Sequence, residues 1–205
     1  MSRQVFELIR QMDIQDPEFQ LAFQCAPLIS GLKISNLLVI RPEKLDEVKQ
    51  ILRNTDISYS VLSNTEEKAV ILLYKQELLA AYLSMERVKK LLLRMGYRAD
   101  TLDTILPVFC IRYRKYVREK REFPHELGIL LGYPIEDVEG FIDHNGRDFL
   151  FSGYWKVYEN MPAKERLFQR FEHVKETMLQ MIFCGMSIVD IIDIYSDRQI
   201  EKTAV

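Results

Sequence analysis

The chain is short of most residues that would announce a chemistry. Its three cysteines, Cys25, Cys110 and Cys184, are odd in number and widely spaced. That excludes a disulfide framework and a Cys-x-x-Cys zinc pattern, and it points to reduced thiols in a cytoplasm. Histidine is equally scarce, and His125, His144 and His173 lie in separate segments without metal-ligand spacing, so no metal is expected. Neither a P-loop nor a Gly-x-Gly-x-x-Gly fingerprint occurs, which excludes the usual phosphate-cradling loops. Long apolar runs are absent too. A stretch such as Ala69 to Tyr74 is far too short to span a bilayer, and Glu7 and Arg10 inside the first apolar period argue against a signal peptide. Charge of one sign is also lacking, since the net charge of −2 gives no global pull toward nucleic acid or an anionic membrane. No internal repeat or low-complexity segment is visible.

What is present is an ordinary globular balance, 48% hydrophobic and 28% charged over 205 residues. The expectation is a single compact, soluble, cytoplasmic domain over 1–196 with a frayed tail from 197 to 205. Val5, Leu8, Ile9 and Met12 recur at helical spacing, and a second short helix is expected from Pro17 to about Gln24. There Cys25-Ala26-Pro27 opens an irregular segment. Residues 36–75 read as strand, helix, strand, hairpin, strand: the run Asn36 to Ile40, a helix after Pro42, the alternation Ile57, Tyr59, Val61, and the central-strand run Val70 to Tyr74. Residues 76–196 read as mainly helical, with an i, i+4 stripe Ile105, Phe109, Tyr113, Val117 and a capping box from Ser187 to Asp190. Phe149 to Tyr158 reads as strand. The fold class is therefore α/β (α+β), helix-rich, with a small mixed sheet in the N-terminal half and a helical C-terminal half packed on it.

Candidate chemistry concentrates in Pro124-His125-Glu126-Leu127-Gly128, Leu131-Gly132-Tyr133-Pro134 and Gly153-Tyr154-Trp155-Lys156-Val157-Tyr158. Pro124 suits a first helical turn, which places His125 and Glu126 at a helix start. A neutral imidazole there can serve as base or ligand, with Glu126 orienting it. Gly132 is placed to end that helix and Pro134 to start the next, whose first turn holds Glu136 and Asp137. On a strand, Tyr154, Lys156 and Tyr158 share one face, where an ammonium between two phenols can hold a carboxylate or phosphate. Cys25, where the second helix is expected to stop, is the candidate nucleophile, provided His125 comes within reach. Asp143-His144-Asn145-Gly146-Arg147-Asp148 starts like a calcium loop but lacks the twelfth-position glutamate, so it reads as a turn.

Arg112, Arg114, Lys115, Arg118, Lys120 and Arg121 make a basic helix surface over 112–121, interleaved with Tyr113 and Tyr116. Such a row can grip phosphates, or it can be a solvated face whose cations stabilise the helix C-terminus. The corner at Gly132 resembles a helix-turn-helix, but its second helix begins with Glu136, Asp137 and Glu139, which repel a DNA backbone, so nucleic acid is not the expected partner and the basic helix is open to a protein one.

Pro124-His125-Glu126 followed by Leu131-Gly132-Tyr133-Pro134 resembles the paired motif of a bacterial, largely clostridial family, domain of unknown function 3793. Cys25-Ala26-Pro27 with Lys33 and Trp155-Lys156-Val157-Tyr158 match that resemblance, which covers most of the chain. It implies a cytoplasmic bacterial protein and brings no substrate, cofactor or catalytic residue with it. Two readings follow. In the first, the protein binds a small anionic ligand or cofactor, with or without catalysis: His125, Glu126 and Cys25 supply any chemistry, and Lys33, Tyr154, Lys156 and Tyr158 hold the ligand. In the second it is a non-enzymatic interaction or regulatory module working through the basic helix.

Overall fold

The computed structural model describes residues 3–98, 101–120 and 122–203. Its elements run α1 (Arg3–Ile9), α2 (Pro17–Ile29), β1 (Ser35–Ile40), a 3-10 turn (Pro42–Lys44), α3 (Leu45–Leu52), β2 (Ser58–Asn64) and β3 (Ala69–Tyr74). There follow α4 (Gln76–Leu83), α5 (Glu86–Arg94), α6 (Leu102–Glu119), α7 (Glu126–Leu130) and α8 (Ile135–Asp143). The chain continues through β4 (Phe151–Ser152), β5 (Lys156–Val157), α9 (Met161–Phe183) and α10 (Ile188–Thr203). The fold class is α+β. Two compact units form, one from Met1–Lys75 with Arg170–Val205 and one from Gln76–Gln169.

In the first unit, Asp16 caps α2 by accepting hydrogen bonds from Glu18 N and Phe19 N at 2.8 and 3.0 Å, with Pro17 at the first helical position. The helix does not stop near Gln24. It runs through Pro27 to Ile29, because Cys25, Ala26, Pro27, Leu28 and Ile29 are all buried. Burying five consecutive residues outweighs the one helical hydrogen bond that proline cannot make.

β3 is buried along its whole length and lies between β1 and β2, antiparallel to both. The three-stranded sheet is thus antiparallel at every pairing, where a mixed sheet was expected. The crossover helix is nonetheless present. α3 links β1 to β2, and β3 inserts between them by turning back at Thr65, whose backbone N–H donates to Lys68 O. Chain order alone could not say that the last strand would take the central position.

The core of this unit packs Leu21, Cys25 and Leu28 of α2 with Val48 and Leu52 of α3, and with Leu38, Ile71 and Leu73 of the sheet. Met178 and Leu179 from α9 and Ile188, Ile191 and Ile192 from α10 complete it. Ser187 Oγ accepts from Asp190 N at 3.2 Å, as the capping-box spacing predicts, and Ile188 N donates to Glu18 Oε2 at 2.8 Å. α10 runs past Asp197, where the sequence reading ends regular structure.

In the second unit, α6 buries Ile105, Phe109 and Tyr113 and ends where Lys120 turns left-handed (φ 49°). Gly132 at φ 64° closes α7, with Tyr133 N donating to Gly128 O at 3.0 Å. Pro134 then precedes α8. The run Phe149 to Tyr158 resolves into a short hairpin, Phe151 opposite Val157 and Ser152 opposite Lys156.

Candidate functional site

The helix-corner-helix of α7 and α8 and the β4–β5 hairpin belong to the second unit, and buried carboxylates hold them. Asp137, 2% exposed in the first turn of α8, accepts from Trp155 Nε1 at 2.7 Å, from Tyr158 N at 2.8 Å and from Glu159 N at 3.3 Å. The Lys164 ammonium lies 3.8 Å from Oδ2, the oxygen that also takes the Trp155 N–H, while the two amides share Oδ1. The helix N-terminus favours the anion as well. Trp155 stacks on Tyr133 at 4.7 Å and meets Phe168 edge-on at 4.5 Å. From sequence, Asp137 is placed in the first turn of this helix and counted against DNA binding, but no partner is assigned to it. The missed signal is an acid at the third position after a helix-starting proline, with a lone tryptophan nearby that needs an acceptor.

Glu126 is the second clamp. Buried at 5% exposure, it accepts from Tyr97 Oη at 3.0 Å and from Arg112 at 3.1 Å. Arg112 also donates to Met95 O and lies 4.5 Å over the Tyr97 ring. Burial and the adjoining Glu126 carboxylate push the Tyr97 phenol well above its usual range. Glu126 thus spends its acceptors on Tyr97 and Arg112, and Arg112 faces inward rather than joining an exposed basic face. Arg121, counted with that face, lies outside the described residues.

His125 is exposed at the N-cap of α7 and packs between Phe123 at 5.7 Å and Phe141 at 5.6 Å. Phe141 also lies under Lys156, whose ammonium is 5.6 Å from its centroid and 4.8 Å from that of Phe149. Lys156 Nζ donates to Gly146 O at 2.6 Å. His125 and Lys156 therefore share one aromatic neighbour. Tyr154 does not join them. It sits in the turn between β4 and β5 with its ring on Phe168 at 5.4 Å, so the expected three-residue face is not formed.

Tyr158 packs on Gly140, where an added Cβ would fall 2.4 Å from the ring, and stacks on His144 at 5.6 Å. Its hydroxyl is shielded from solvent and has no hydrogen-bond partner among the described residues. Burial, then the Asp148 and Asp137 carboxylates, raise this phenol. A depression of about 440 Å³ adjoins His144, lined with Asp143, Asn145, Arg147 and Asp148.

Cys25 and Lys33 belong to the first unit. Cys25 is fully buried within α2, which runs on to Ile29 and does not stop at this residue as expected. Burial pushes it up to about 12, with Asn36 and Lys33 opposing. A thiol so placed is disfavoured as a thiolate, and its side chain packs in the core of the first unit. Lys33 is also buried, and desolvation lowers it to about 8. Its ammonium donates to Asn36 Oδ1 at 3.1 Å, while Asn36 Nδ2 donates to Gln24 O and Leu37 O, each at 2.8 Å.

Among the described residues no group of three or more His, Cys, Asp or Glu could hold a metal ion, and no helix is long and apolar enough to cross a membrane. A family model described as a protein of unknown function, DUF3793, matches residues 21–192. The chain belongs to this family. In DUF3793 terms, the matched stretch takes in both clamps, the His125–Phe141–Lys156 shelf and the Cys25–Lys33–Asn36 cluster. Nothing among curated proteins or solved structures matches the chain.

Proposed function

We propose that this protein binds a small anionic ligand on the shelf formed by His125, Phe141 and Lys156 in the second unit. The observation that carries this reading is the state of Lys156. Its ammonium is held by one carbonyl between two aromatic rings, and among the described residues it has no carboxylate partner. A cation fixed by rings is ready for a carboxylate or phosphate, since no resident anion must be displaced. His125, which packs on the same Phe141 ring, supplies a second polar contact, and the Tyr158 hydroxyl, without a hydrogen-bond partner among the described residues, a third. Glu126 is committed to Tyr97 and Arg112, so no base–orienter pair backs His125 and binding is favoured over catalysis. The free state of the cysteines supports a reducing, cytoplasmic setting.

Isothermal titration of the full chain with inorganic phosphate, citrate and AMP tests the reading. Saturable binding by at least one probe, weakened tenfold or more in Lys156→Gln and less in His125→Ala, is the expected result. Absence of binding, or binding indifferent to Lys156→Gln, overturns it.

A further inference from the structure

The shelf carries more ring surface than Lys156 uses. Phe141 and Phe149 face its ammonium at 5.6 and 4.8 Å, so those two rings hold the cation. Two further rings of the second unit continue the series without that task. The imidazole of His125 lies 5.6 Å from Phe141 and 5.7 Å from Phe123, tilted by 53° and 63°. Tyr116 of α6 meets Phe123 edge-on at 5.4 Å and 86°, which restrains the phenyl. His125 is exposed and Phe123 is 43% exposed, and neither is stacked flat on another ring among the described residues. Single apolar side chains scattered on a surface need no explanation, but exposed rings gathered beside a fixed cation form a patch.

Such a patch sets two requirements for a ligand. The ammonium asks for a carboxylate or phosphate, and the imidazole–phenyl pair asks for a flat apolar face to stack on it. One small molecule reaches both, because the ammonium and the imidazole have the Phe141 ring as a common neighbour and the phenyl adjoins the imidazole. A purely aliphatic anion such as citrate uses only the first feature and leaves the rings wet. A polynucleotide needs a row of cations along its backbone, whereas a single ammonium is held against these rings.

We infer that the anion bound on the shelf carries a planar aromatic ring, which stacks on His125 and Phe123 while its carboxylate or phosphate meets Lys156. The inference rests on the anion-binding reading and adds the other half of the ligand. Nucleoside monophosphates and aryl carboxylates share this chemistry: a flat ring, a charged group and a short spacer. Stacking recognises a π-face and not a pattern of donors, so affinity should follow the presence of a ring more than the identity of its heteroatoms.

Calorimetric titration of the full chain with two matched pairs, AMP against ribose 5-phosphate and phenylacetate against acetate, tests the inference. In at least one pair the ring-bearing member should bind tenfold or more tightly than its ringless mate, and that pair names the class. Phe123→Leu, which keeps apolar bulk at an exposed position, should remove most of the advantage and leave the ringless affinity unchanged. Lys156→Gln should weaken both members alike. The ring protons of the bound ligand should also shift upfield in proton NMR of the wild-type mixture, a readout that needs no variant. Equal affinity within both pairs, an advantage indifferent to Phe123→Leu, or ring protons that do not move overturns the inference and leaves anion binding at Lys156 standing. Binding by none of the four, nor by inorganic phosphate or citrate, overturns both readings; binding by those last two alone overturns only this one.

Discussion

The two units bury charge on different terms, although Lys75 of the first unit, buried and paired with Asp56, follows the rule of the second. The first encloses a continuous apolar core and, within it, a lysine that would rather be neutral: Lys33 shares one amide with its neighbour Cys25, and its lowered pKa records the desolvation it suffers. The second buries carboxylates that are supplied with donors, three hydrogen bonds and an ammonium for Asp137, two donors for Glu126. The difference follows from element length. A helix of five residues and strands of two cannot persist on their own hydrogen bonds. The second unit therefore ties such pieces together through polar hubs, whereas a six-residue strand flanked on both sides holds by burial. Where elements are short, the buried charge is the scaffold.

The largest effect should come from removing a hub. Asp137→Ala strands the Trp155 indole N–H and the Tyr158 and Glu159 amides, leaves Lys164 with Glu136 alone, and should cost about 3–5 kcal/mol. Trp155, the sole tryptophan, reports the loss by fluorescence during urea unfolding. Asp137→Asn keeps the shape and part of the acceptor capacity and should cost about half as much. A loss below about 1 kcal/mol for the alanine variant would break the comparison, because the hub would then be incidental.

The apolar counterpart in the first unit is Ile71, 1% exposed and paired in register with Leu38 and Val61. Ile71→Ala should cost about 3 kcal/mol through lost transfer energy and the cavity left behind, and Ile71→Val about 1 kcal/mol. Hydrogen exchange of the β3 amides is the measurement that localises the change. Gly140→Ala comes next, at about 2 kcal/mol, since its methyl would strike Tyr158 in an already packed corner.

These same contrasts explain how much was legible from sequence. Apolar periodicity locates α3, α6, β1 and β3, because burial of one face or of a whole strand is written in consecutive residues. The clamp at Asp137 is not written that way: its donors come from residues 18 to 27 positions downstream, and only folding brings them to one oxygen pair. Proline misled the reading at Cys25, where a local breaker was weighed without the burial that overrides it. His125 and Lys156 were legible as polar residues in an aromatic context. That Phe141 joins them depends on how α8 packs against β5, which no spacing rule gives.

The buried lysine makes a pH prediction. Below about pH 8 Lys33 is charged in both states and its desolvation is fully felt; between 8 and 10.5 the folded state sheds the proton while the unfolded chain keeps it, so stability rises. Cys25 acts in the other direction. From its ordinary 9.0 to about 12 the unfolded thiol ionises while the folded one cannot, so stability falls. The first unit should therefore gain on the order of 1 kcal/mol between pH 8 and 9, then level off. Lys33→Met should abolish the rise and leave the decline above 9, as followed by urea midpoints read at β3.

The smallest expected effect sharpens the comparison most, because it concerns adjacent residues. Glu126 is clamped and buried, and Glu126→Ala should cost about 2–4 kcal/mol by leaving Arg112 and Tyr97 without their acceptor. His125, one position earlier, is exposed and has the Phe123 and Phe141 rings as neighbours, so His125→Ala should shift stability by no more than about 0.5 kcal/mol. Equal losses at both positions would make the pair one structural feature of the corner and remove His125 from the ligand shelf. A silent His125→Ala that nonetheless weakens phosphate or citrate binding would separate the two. The Pro-His-Glu turn would then carry a scaffold residue and a contact residue side by side, with the carboxylate fixing the backbone from which the imidazole projects.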